Sequence, residues 1–237
     1  HRSADGWREN SEYKTFNGHV NFTWLLNSKM NIGFEYSRLN MVSQQPGGLT
    51  DAQFKANARQ SQRARNWFNT PTNIAALTYT YNITSSQILD VKLFGFLGER
   101  NSVGVVSALT QADIVDTAIN QYRNRQVDRD FYENIGFEAR YLNKFKIGRF
   151  DNALATGVRY YSGNTIRKQL GRGNASFDFD LSLTNPVYGR DLSFNTRNIA
   201  FFVENSFNVL PRLTVTPGIR IENIQNSGKG YINTSST

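Results

Sequence analysis

The sequence predicts an all-β fold, an antiparallel transmembrane β-barrel segment of about eight strands with long loops at one end. Three observations predict it. Apolar and polar residues alternate with period two in successive hairpins, which is the pattern of strands with one apolar face and one polar face. Each strand has roughly the ten residues needed to cross a bilayer at a tilt. The connections between strands are alternately short and long, as they are in membrane barrels.

The alternation is clearest over residues 195–225. The odd positions from Ile199 to Val209 are mainly apolar, and the pattern restarts from Leu213 to Ile221 after the tight turn Leu210-Pro211-Arg212. Charged residues in these two strands occur only on the polar face. We therefore expect an antiparallel hairpin that turns its apolar side chains towards acyl chains and its charges towards a watery pore.

Three further hairpins follow the same design in chain order. Each shows the alternation in both of its strands, and each is expected to pair antiparallel. The third is expected to have a medium-length turn at 142–151. The predicted hairpins are Thr15–Leu25 with Met30–Arg38, Asn73–Tyr81 with Gln87–Gly98, and Phe131–Tyr141 with Ala153–Ser162.

Long connections separate these hairpins at 39–69, 99–126 and 163–194, and a fourth is expected to begin after Gln225. Two of them contain helix signals. Thr50 followed by Gln53 is a capping box. Thr110 with Asp113 is expected to start a second short helix. The helical spacing of that second segment is shown by Ala108, Ala112, Val115, Ile119 and Tyr122.

Composition is consistent with a barrel. Hydrophobic residues make up 39% of the 237 residues and the mean hydropathy is -0.51, which resemble values for soluble proteins. A membrane barrel gives such averages because half of each strand faces a wet lumen. Aromatic residues reach 13%, as expected where they form girdles at the two interfaces. The polar ends of the chain, which begins at His1, suggest a fragment of a longer protein.

Charge and cysteine content limit the chemistry. The absence of cysteine excludes disulfides and thiolate metal sites. The net charge of +8 favours partners such as nucleic acid, lipid phosphate or an anionic small molecule. A small barrel would have to pack its interior with side chains. The many charges expected on the lumen side therefore favour a wall segment of a larger, wet or plugged barrel. They are His19, Glu35, Asp90, Lys92, Glu138, Arg140, Arg159, Glu204, Arg220 and Glu222.

The order of motifs resembles the middle of the barrel of TonB-dependent outer-membrane transporters, in particular the ferric dicitrate receptor group. The segment Pro46-Gly47-Gly48-Leu49-Thr50, followed by Gln60-Ser61-Gln62-Arg63, carries the resemblance to that group. Phe137-Glu138-Ala139-Arg140-Tyr141 and the strand from Val215 to Glu222 are similar to barrel strands of the same family. The second of these, a T-P-G-x-R-x-E strand, is widespread among TonB-dependent barrels and supports the superfamily rather than a substrate.

The resemblance implies a barrel of about 22 strands closed by an N-terminal plug. Residues 1–237 would then be a partial barrel domain, without the plug and the C-terminal strands, and would not transport anything alone. The implied function is TonB-dependent uptake of a ferric siderophore or ferric citrate across the bacterial outer membrane. Implied partners are the chelate, TonB acting through the missing plug, and outer-membrane lipid with lipopolysaccharide. No enzyme activity and no resident cofactor are implied, because iron arrives inside its chelate.

Candidate ligand-binding residues cluster at Arg59, Arg63 and Arg65 with Trp67. Ferric dicitrate is anionic, and arginine forks bind carboxylates through two parallel hydrogen bonds. Loops on rigid scaffolds often carry binding function. The alternative is a solvated basic loop that contacts lipopolysaccharide phosphates.

Arg140 and Arg159 are two further ligand candidates on the lumen face. The alternative for them is a charge ladder with Glu138, since unlike charges on adjacent strands commonly pair. The same alternative applies to Glu204 with Arg220 and Glu222. The carboxylate pair Asp178 and Asp180 does not predict glycoside hydrolysis. The histidines His1 and His19 lie apart in the sequence and do not predict a metal site.

Two other functional classes fit the same residues. They are a secreted carbohydrate-binding β-sandwich and a plug-less, porin-like channel. Basic and aromatic residues at 63–68 also suit single-stranded nucleic acid, but the membrane-length strands disfavour it and we predict no nucleic-acid partner. The sandwich and the barrel differ in where the outward apolar side chains lie, in lipid or between two sheets. The diagnostic residues are Leu93, Val158, Phe201, Val203, Ile219 and Ile221.

Overall fold

One antiparallel sheet contains all eleven strands of the described residues, which are 1–109, 111–210 and 212–233 of this computed structural model. The elements are β1 (Arg2–Ala4), β2 (Tyr13–Leu25), β3 (Met30–Gln44), α1 (Asp51–Ala56), β4 (Trp67–Asn69), β5 (Thr72–Asn82), β6 (Gln87–Gly104), β7 (Gln126–Ile147), β8 (Phe150–Arg172), β9 (Asn185–Leu210), β10 (Leu213–Val215) and β11 (Gly218–Ile232). Strands that follow one another in the chain pair with each other, except that β4 and β5 both lie between β3 and β6 and that β10 and β11 both pair with β9. The sheet is therefore a meander without crossovers.

The four predicted hairpins are confirmed. Strands β2 and β3 pair with Phe22 opposite Phe34, and β5 and β6 pair with Leu77 opposite Leu93. Strand β9 pairs with β11 so that Phe201 lies opposite Ile221. The apolar positions therefore share one face across neighbouring strands, as period-two alternation requires. Pro211, in the predicted turn after β9, lies outside the described residues.

Two prolines divide strands into shorter pieces. Strands β4 and β5 both lie between β3 and β6, separated by Thr70 and Pro71, and β10 and β11 both pair with β9, separated by Thr216 and Pro217. A proline has no N–H to donate to the ladder. Its carbonyl still accepts, as Pro217 does from the Asn205 N–H at 3.0 Å. The sheet therefore stays continuous across both interruptions.

The predicted medium turn at 142–151 is wrong. Strands β7 and β8 pair up to Ile147 opposite Phe150, which leaves only Gly148 and Arg149 to form the turn. Gly148 has φ +59°, a conformation that a two-residue hairpin turn requires and that glycine adopts without strain. The alternation weakens near this turn, so the sequence pattern predicted strands that are too short at this end.

The strands also extend further than predicted at the opposite end of the sheet. Strand β8 continues to Arg172, β9 begins at Asn185, and β11 continues to Ile232. The expected fourth loop after Gln225 is therefore wrong, since Gln225–Ile232 pairs with residues 197–190 of β9. Outside the apolar band both faces of a strand meet water. Backbone pairing then continues without the alternation by which sequence reasoning finds strands.

Buried Asp130 stabilises this polar extension. It is 1% exposed. Its carboxylate accepts from Arg100 at 2.9 Å on one neighbouring strand, and from Arg167 at 3.2 Å and Gln169 at 2.9 Å on the other. A buried carboxylate requires such compensation. Cross-strand polar contacts thus hold β6, β7 and β8 together where apolar packing is absent.

Of the two predicted helices, the first is confirmed. Helix α1 has Thr50 at its N-cap, with the Gln53 N–H donating to Thr50 Oγ1 at 3.3 Å and the Thr50 N–H donating to Gln53 Oε1 at 2.9 Å. The second is wrong over its described part, because residues 111–122 are irregular apart from a bridge between Asp116 and Gln121. Thr110 lies outside the described residues. No helix among the described residues has the length and apolar character to cross a membrane.

The predicted outward face is exposed. Ile219 is 66% exposed and Ile221 68%, and Phe201, Val203 and Leu93 are also exposed, while Val158 is half-buried. No second sheet covers this face within the described ranges. The β-sandwich alternative is therefore wrong. From Ile199 to Val209 the outward row of β9, which is exposed except for half-buried Asn205 and Phe207, is about 33 Å long. A tilted strand of that length spans roughly 25 Å of membrane.

Candidate functional site

Three long connections lie at the same end of the sheet, which we call the loop rim. Loop A comprises residues 45–66, loop B residues 105–125 and loop C residues 173–184. Because β3, β6 and β8 all end there, the sheet brings the three loops together. The bulkiest fully buried side chains of the described structure include Arg65 and Arg125, both in these loops.

Arg65 connects all three loops. It is fully buried and forms two parallel hydrogen bonds with Asp113 of loop B, from Nε to Oδ2 at 2.7 Å and from Nη2 to Oδ1 at 2.6 Å. Its Nη1 donates to the Arg123 carbonyl at 3.2 Å and to the Ala175 carbonyl of loop C at 3.0 Å. The buried charge is thus paired and its donors are used, as burial requires.

Aromatic rings enclose the same guanidinium. The Arg65 Cζ atom lies 4.4 Å from the centroid of the Tyr122 ring and 5.9 Å from that of Phe177. The two rings meet edge to face at 5.2 Å. Cation–π contacts of this kind strengthen when water is excluded. Tyr122 had been assigned to a helix, but it serves here as one wall around Arg65.

Arg63 joins loop A to loop B. It is 5% exposed, and its guanidinium donates to the Gln111 carbonyl at 2.6 Å and to Ser107 Oγ at 2.8 Å. Its aliphatic stem packs on Gly47, where an added Cβ would lie 2.7 Å from Arg63 Cγ. Gly47 also has φ +75°. Gly47 of the Pro46–Thr50 motif therefore permits the close approach of Arg63.

Arg125 was not identified from the sequence. It is 1% exposed and donates to the Arg65 carbonyl at 3.1 Å, the Asp178 carbonyl at 2.8 Å and Ser176 Oγ at 2.8 Å. Burial, and then the nearby charge of Arg65, lower the pKa of Arg125 below its ordinary value. The two nearby arginines Arg123 and Arg125 were the available signal, but composition alone does not distinguish a buried arginine from a solvated one.

The acidic residues of loop C, Asp178 and Asp180, make hydrogen bonds with other loop residues. The Asp180 side chain accepts from the Ser182 N–H at 2.8 Å and from the Asn174 side chain. These bonds, the Ser182 N–H first, lower the pKa of Asp180 below its ordinary value. Asp178 contributes its carbonyl to Arg125. Both residues take part in the local loop structure.

Arg59 and Trp67, the other two loop candidates, lie at the edges of this assembly. Arg59 is exposed, donates from Nε to the Trp7 carbonyl at 3.0 Å, and lies over the Trp7 ring at 5.9 Å. Trp67 donates from Nε1 to the Phe177 carbonyl at 2.7 Å and so connects β4 to loop C. Of the three predicted arginines, Arg59 is the one whose guanidinium reaches solvent in this arrangement, because Arg63 and Arg65 are turned inwards.

Arg140 and Arg159 lie far from the loops. Gln126 begins β7 at the loop rim, and Arg140 follows fourteen residues later, about 46 Å along the strand. The Arg140 Nε lies 3.0 Å from one carboxylate oxygen of Glu138, and Arg159 lies 3.9 Å from the other. This is the predicted charge ladder, so the two candidate groups do not form one site. Nearby, Arg220 pairs with Glu222, which also accepts from Asn198 at 3.3 Å.

Among the described residues no three His, Asp or Glu side chains are grouped as they would be around a metal ion. His19 contacts Ser37 Oγ at 2.8 Å. The ligand-binding assignments and the expectation of no resident cofactor both stay predictions.

An exposed apolar outward row, ion pairs on the opposite face and long loops at one rim define a segment of a transmembrane β-barrel wall. The chain belongs to the TonB-dependent receptors: the family described as "TonB dependent receptor-like, beta-barrel" matches residues 2–237. The predicted resemblance and fold class are thereby confirmed.

Solved structures show the same fold. The chain is similar to the unliganded ferric citrate transporter FecA, with 21% identity and a TM-score of 0.78 over 94% of this chain and 31% of that one. It is also similar to the ferric-catecholate import receptor Fiu from E. coli K12 in its open form (10% identity, TM-score 0.71, 94% and 39% covered). A third match is FpvA from P. aeruginosa, in complex with a heterologous pyoverdine and iron (13% identity, TM-score 0.69, 98% and 33% covered). The chain spans about a third of the length of these receptors.

Proposed function

We propose that this chain is part of the barrel wall and the external loops of a bacterial outer-membrane receptor that imports a ferric siderophore. The family match over residues 2–237 is the observation that carries this proposal. The loop rim faces the cell exterior, because membrane barrels have their long loops outside and their short turns on the periplasmic side. Residues 1–237 constitute a partial barrel domain, and transport needs the plug and the remaining strands.

The chelate is ferric citrate-like. A chelate with free carboxylates is an anion, and the loops supply the arginines that bind carboxylates most specifically. Arg59 makes direct contact in this proposal, because its guanidinium is exposed at the outer edge of loop A. Arg63, Arg65 and Trp67 position the loops around the ligand through their contacts with loops B and C.

Energy for import reaches the receptor through TonB, which acts on the plug. Iron enters and leaves within its chelate, so the protein needs no metal ligands and no cofactor of its own. The ladder of Arg140, Arg159 and Glu138 lines the lumen below the loops and provides charged groups along the path of an anion.

Uptake of radioactive iron tests the proposal. The full-length receptor is expressed in cells that lack their own ferric citrate receptor, with iron supplied as citrate, catecholate or hydroxamate chelates. We expect TonB-dependent uptake of the citrate chelate above the other two. Uptake that persists without TonB, or equal rates for all three chelates, would contradict the proposal.

Arg59 is then tested by substitution. Arg59→Gln should weaken chelate binding about tenfold, the effect of losing one charge-assisted contact. Lys55→Gln is the matched control, since Lys55 is an exposed cation of the same loop. If the two variants lose equal affinity, net charge rather than a specific contact governs binding.

A further inference from the structure

Two phenylalanines of the lumen face lie over glycines of the neighbouring strand. Phe94 of β6 pairs with Gly136 of β7, and Phe202 of β9 pairs with Gly157 of β8. A Cβ added to Gly136 would lie 2.6 Å from Phe94 Cε2. One added to Gly157 would lie 2.6 Å from Phe202 Cζ. Each ring therefore occupies the space that a larger residue would need, and such aromatic cover of a cross-strand glycine supports a sheet.

The same two rings contact arginine side chains. The Arg159 Cζ atom lies 5.6 Å from the centroid of the Phe94 ring. The Arg220 Cζ atom lies 6.0 Å from the centroid of the Phe202 ring. Both distances are within the range of cation–π attraction. The arrangement of glycine, ring and guanidinium thus occurs twice on the lumen face, and we call each copy an aromatic platform. The first platform is Gly136, Phe94 and Arg159, and the second is Gly157, Phe202 and Arg220.

The two arginines keep hydrogen-bond donors that the protein does not use. Arg159 Nη1 lies 3.9 Å from one oxygen of Glu138, which is longer than a hydrogen bond, and the other oxygen pairs with Arg140 at 3.0 Å. Arg220 pairs with Glu222 through Nε, and its Nη groups donate to no other described residue. The Arg159 and Arg220 side chains are 42% and 44% exposed. Both guanidinium groups can therefore donate to an anion in the lumen, since contact with a ring face uses no N–H.

The first platform shows how the ring places the arginine. Phe94 extends from β6 and Arg159 extends from β8, and the two side chains meet above β7. Gly136 of β7 has no side chain that would separate them. A free arginine side chain has several rotatable bonds, and an anion that binds it must restrict them. The ring restricts the guanidinium beforehand, so an arriving anion meets a donor that is already in position.

We propose that Phe94 and Phe202 are positioning residues, which hold the two arginines as preorganised contacts for the anionic chelate on its way through the lumen. This inference rests on the proposed function, which supplies the anion. Glu138, which pairs with Arg159, lies about 40 Å along β7 from the loop rim. The platforms are therefore separate from the external loops and act on transport. Changes in them should lower the maximal uptake rate and leave the KM for the chelate unchanged.

Uptake of radioactive ferric citrate by cells with the full-length receptor tests the first platform, with rates divided by the amount of folded receptor. Arg159→Gln should lower the maximal rate about tenfold, the effect of losing one charge-assisted contact. Phe94→Leu keeps an apolar side chain but removes the ring, and should lower the rate about threefold. In the Arg159→Gln background Phe94→Leu should cause no further loss, because the ring acts through the arginine. Phe96→Leu is the matched control, since no cation–π contact of the described residues involves Phe96.

The glycine is tested in the same assay. Gly136→Ala should lower the maximal rate, because the new methyl group displaces the Phe94 ring. In the Phe94→Ala background it should cause no further loss, because the ring is gone. Gly95→Ala is the matched control and should change nothing. Gly95 lies on the outward face, and its added Cβ would meet only the Asn134 carbonyl oxygen, at an ordinary 3.6 Å.

Two results would overturn the inference. One is a full additional loss from Phe94→Leu in the Arg159→Gln background, and the other is a loss that appears only as a raised KM. The same two substitutions are combined in unfolding measurements on the full-length receptor in lipid vesicles, which need no transport. There Phe94→Leu should destabilise the receptor less in the Arg159→Gln background than in the wild type, and equal losses would overturn the platform. If the wild type imports no chelate but shows this coupling, the proposed function fails and the contact between ring and arginine stands.

Discussion

Replacing Arg65 by methionine tests whether one buried arginine unites the external loops. The substitution keeps a side chain of similar length but leaves Asp113, which is 4% exposed, without its partner. The Arg123 and Ala175 carbonyls lose a donor as well. Removing one partner of a buried ion pair costs about 3–5 kcal/mol. Because the barrel strands do not depend on this pair, we expect the cost to appear as local opening of loops B and C.

Hydrogen exchange of the full-length receptor measures that opening. Since 1.4 kcal/mol corresponds to a factor of ten, amides of loops B and C should exchange at least about 100-fold faster in Arg65→Met. The double variant Arg65→Met/Asp113→Leu should recover much of the protection, because it leaves no unpaired buried charge. Arg123→Gln, which removes an exposed partner of Asp116 in the same loop, is the control and should change little. Unchanged exchange in Arg65→Met would refute the role assigned to Arg65.

Three further predictions concern loop C, loop A and the outward face. The pKa of Asp180 is lowered in the folded loop, so its contribution to loop stability is complete above the ordinary value of 3.8 and is lost as the pH falls through the lower folded value. The protection factors of loop C amides, which correct for the intrinsic pH dependence of exchange, should fall over that range, and Asp180→Asn should abolish this fall. Gly47→Ala should destabilise loop A by about 1–3 kcal/mol, measured as faster limited proteolysis, because the residue has φ +75° and its Cβ would clash with Arg63; wild-type proteolysis would contradict the packing described. Ile221→Lys should lower the free energy of unfolding in lipid vesicles by about 2–4 kcal/mol, because it places a lysine in lipid. Glu222→Lys, on the lumen face, should lower the free energy of unfolding much less, because its side chain stays in water. Equal losses for the two variants would contradict the assignment of faces.

The sequence predicted the membrane-spanning parts of the strands well, because lipid on one side and water on the other impose strict alternation. It failed where that contrast ends. Gln225–Ile232 pairs with Arg190–Arg197, and polar residues occur on both faces of these two segments, so their pairing leaves no periodic signal. The two-residue turn at Gly148 was missed for the related reason that the alternation fades at the other membrane border.

Prediction of the site residues also succeeded only in part. Residue type and clustering identified Arg63 and Arg65, but not that both are buried, since burial follows from the meeting of three loops distant in sequence. Arg125 was missed because its partners come from loops A and C, up to 60 residues away. Asp113 was assigned to a helix start, a local role, whereas its carboxylate accepts from Arg65 at a separation of 48 residues. Such contacts depend on strand lengths that the pattern understated.

The central claim is that the odd residues of β9 face lipid and the even residues face water. Nitroxide labels placed singly at positions 199–209 of the full-length receptor in lipid vesicles test it directly, through collision with oxygen and with a water-soluble nickel complex. We predict that oxygen accessibility peaks at odd positions and nickel accessibility at even positions, with a period of two. Accessibility without that period, or with the two reagents exchanged, would contradict the membrane wall proposed for this chain.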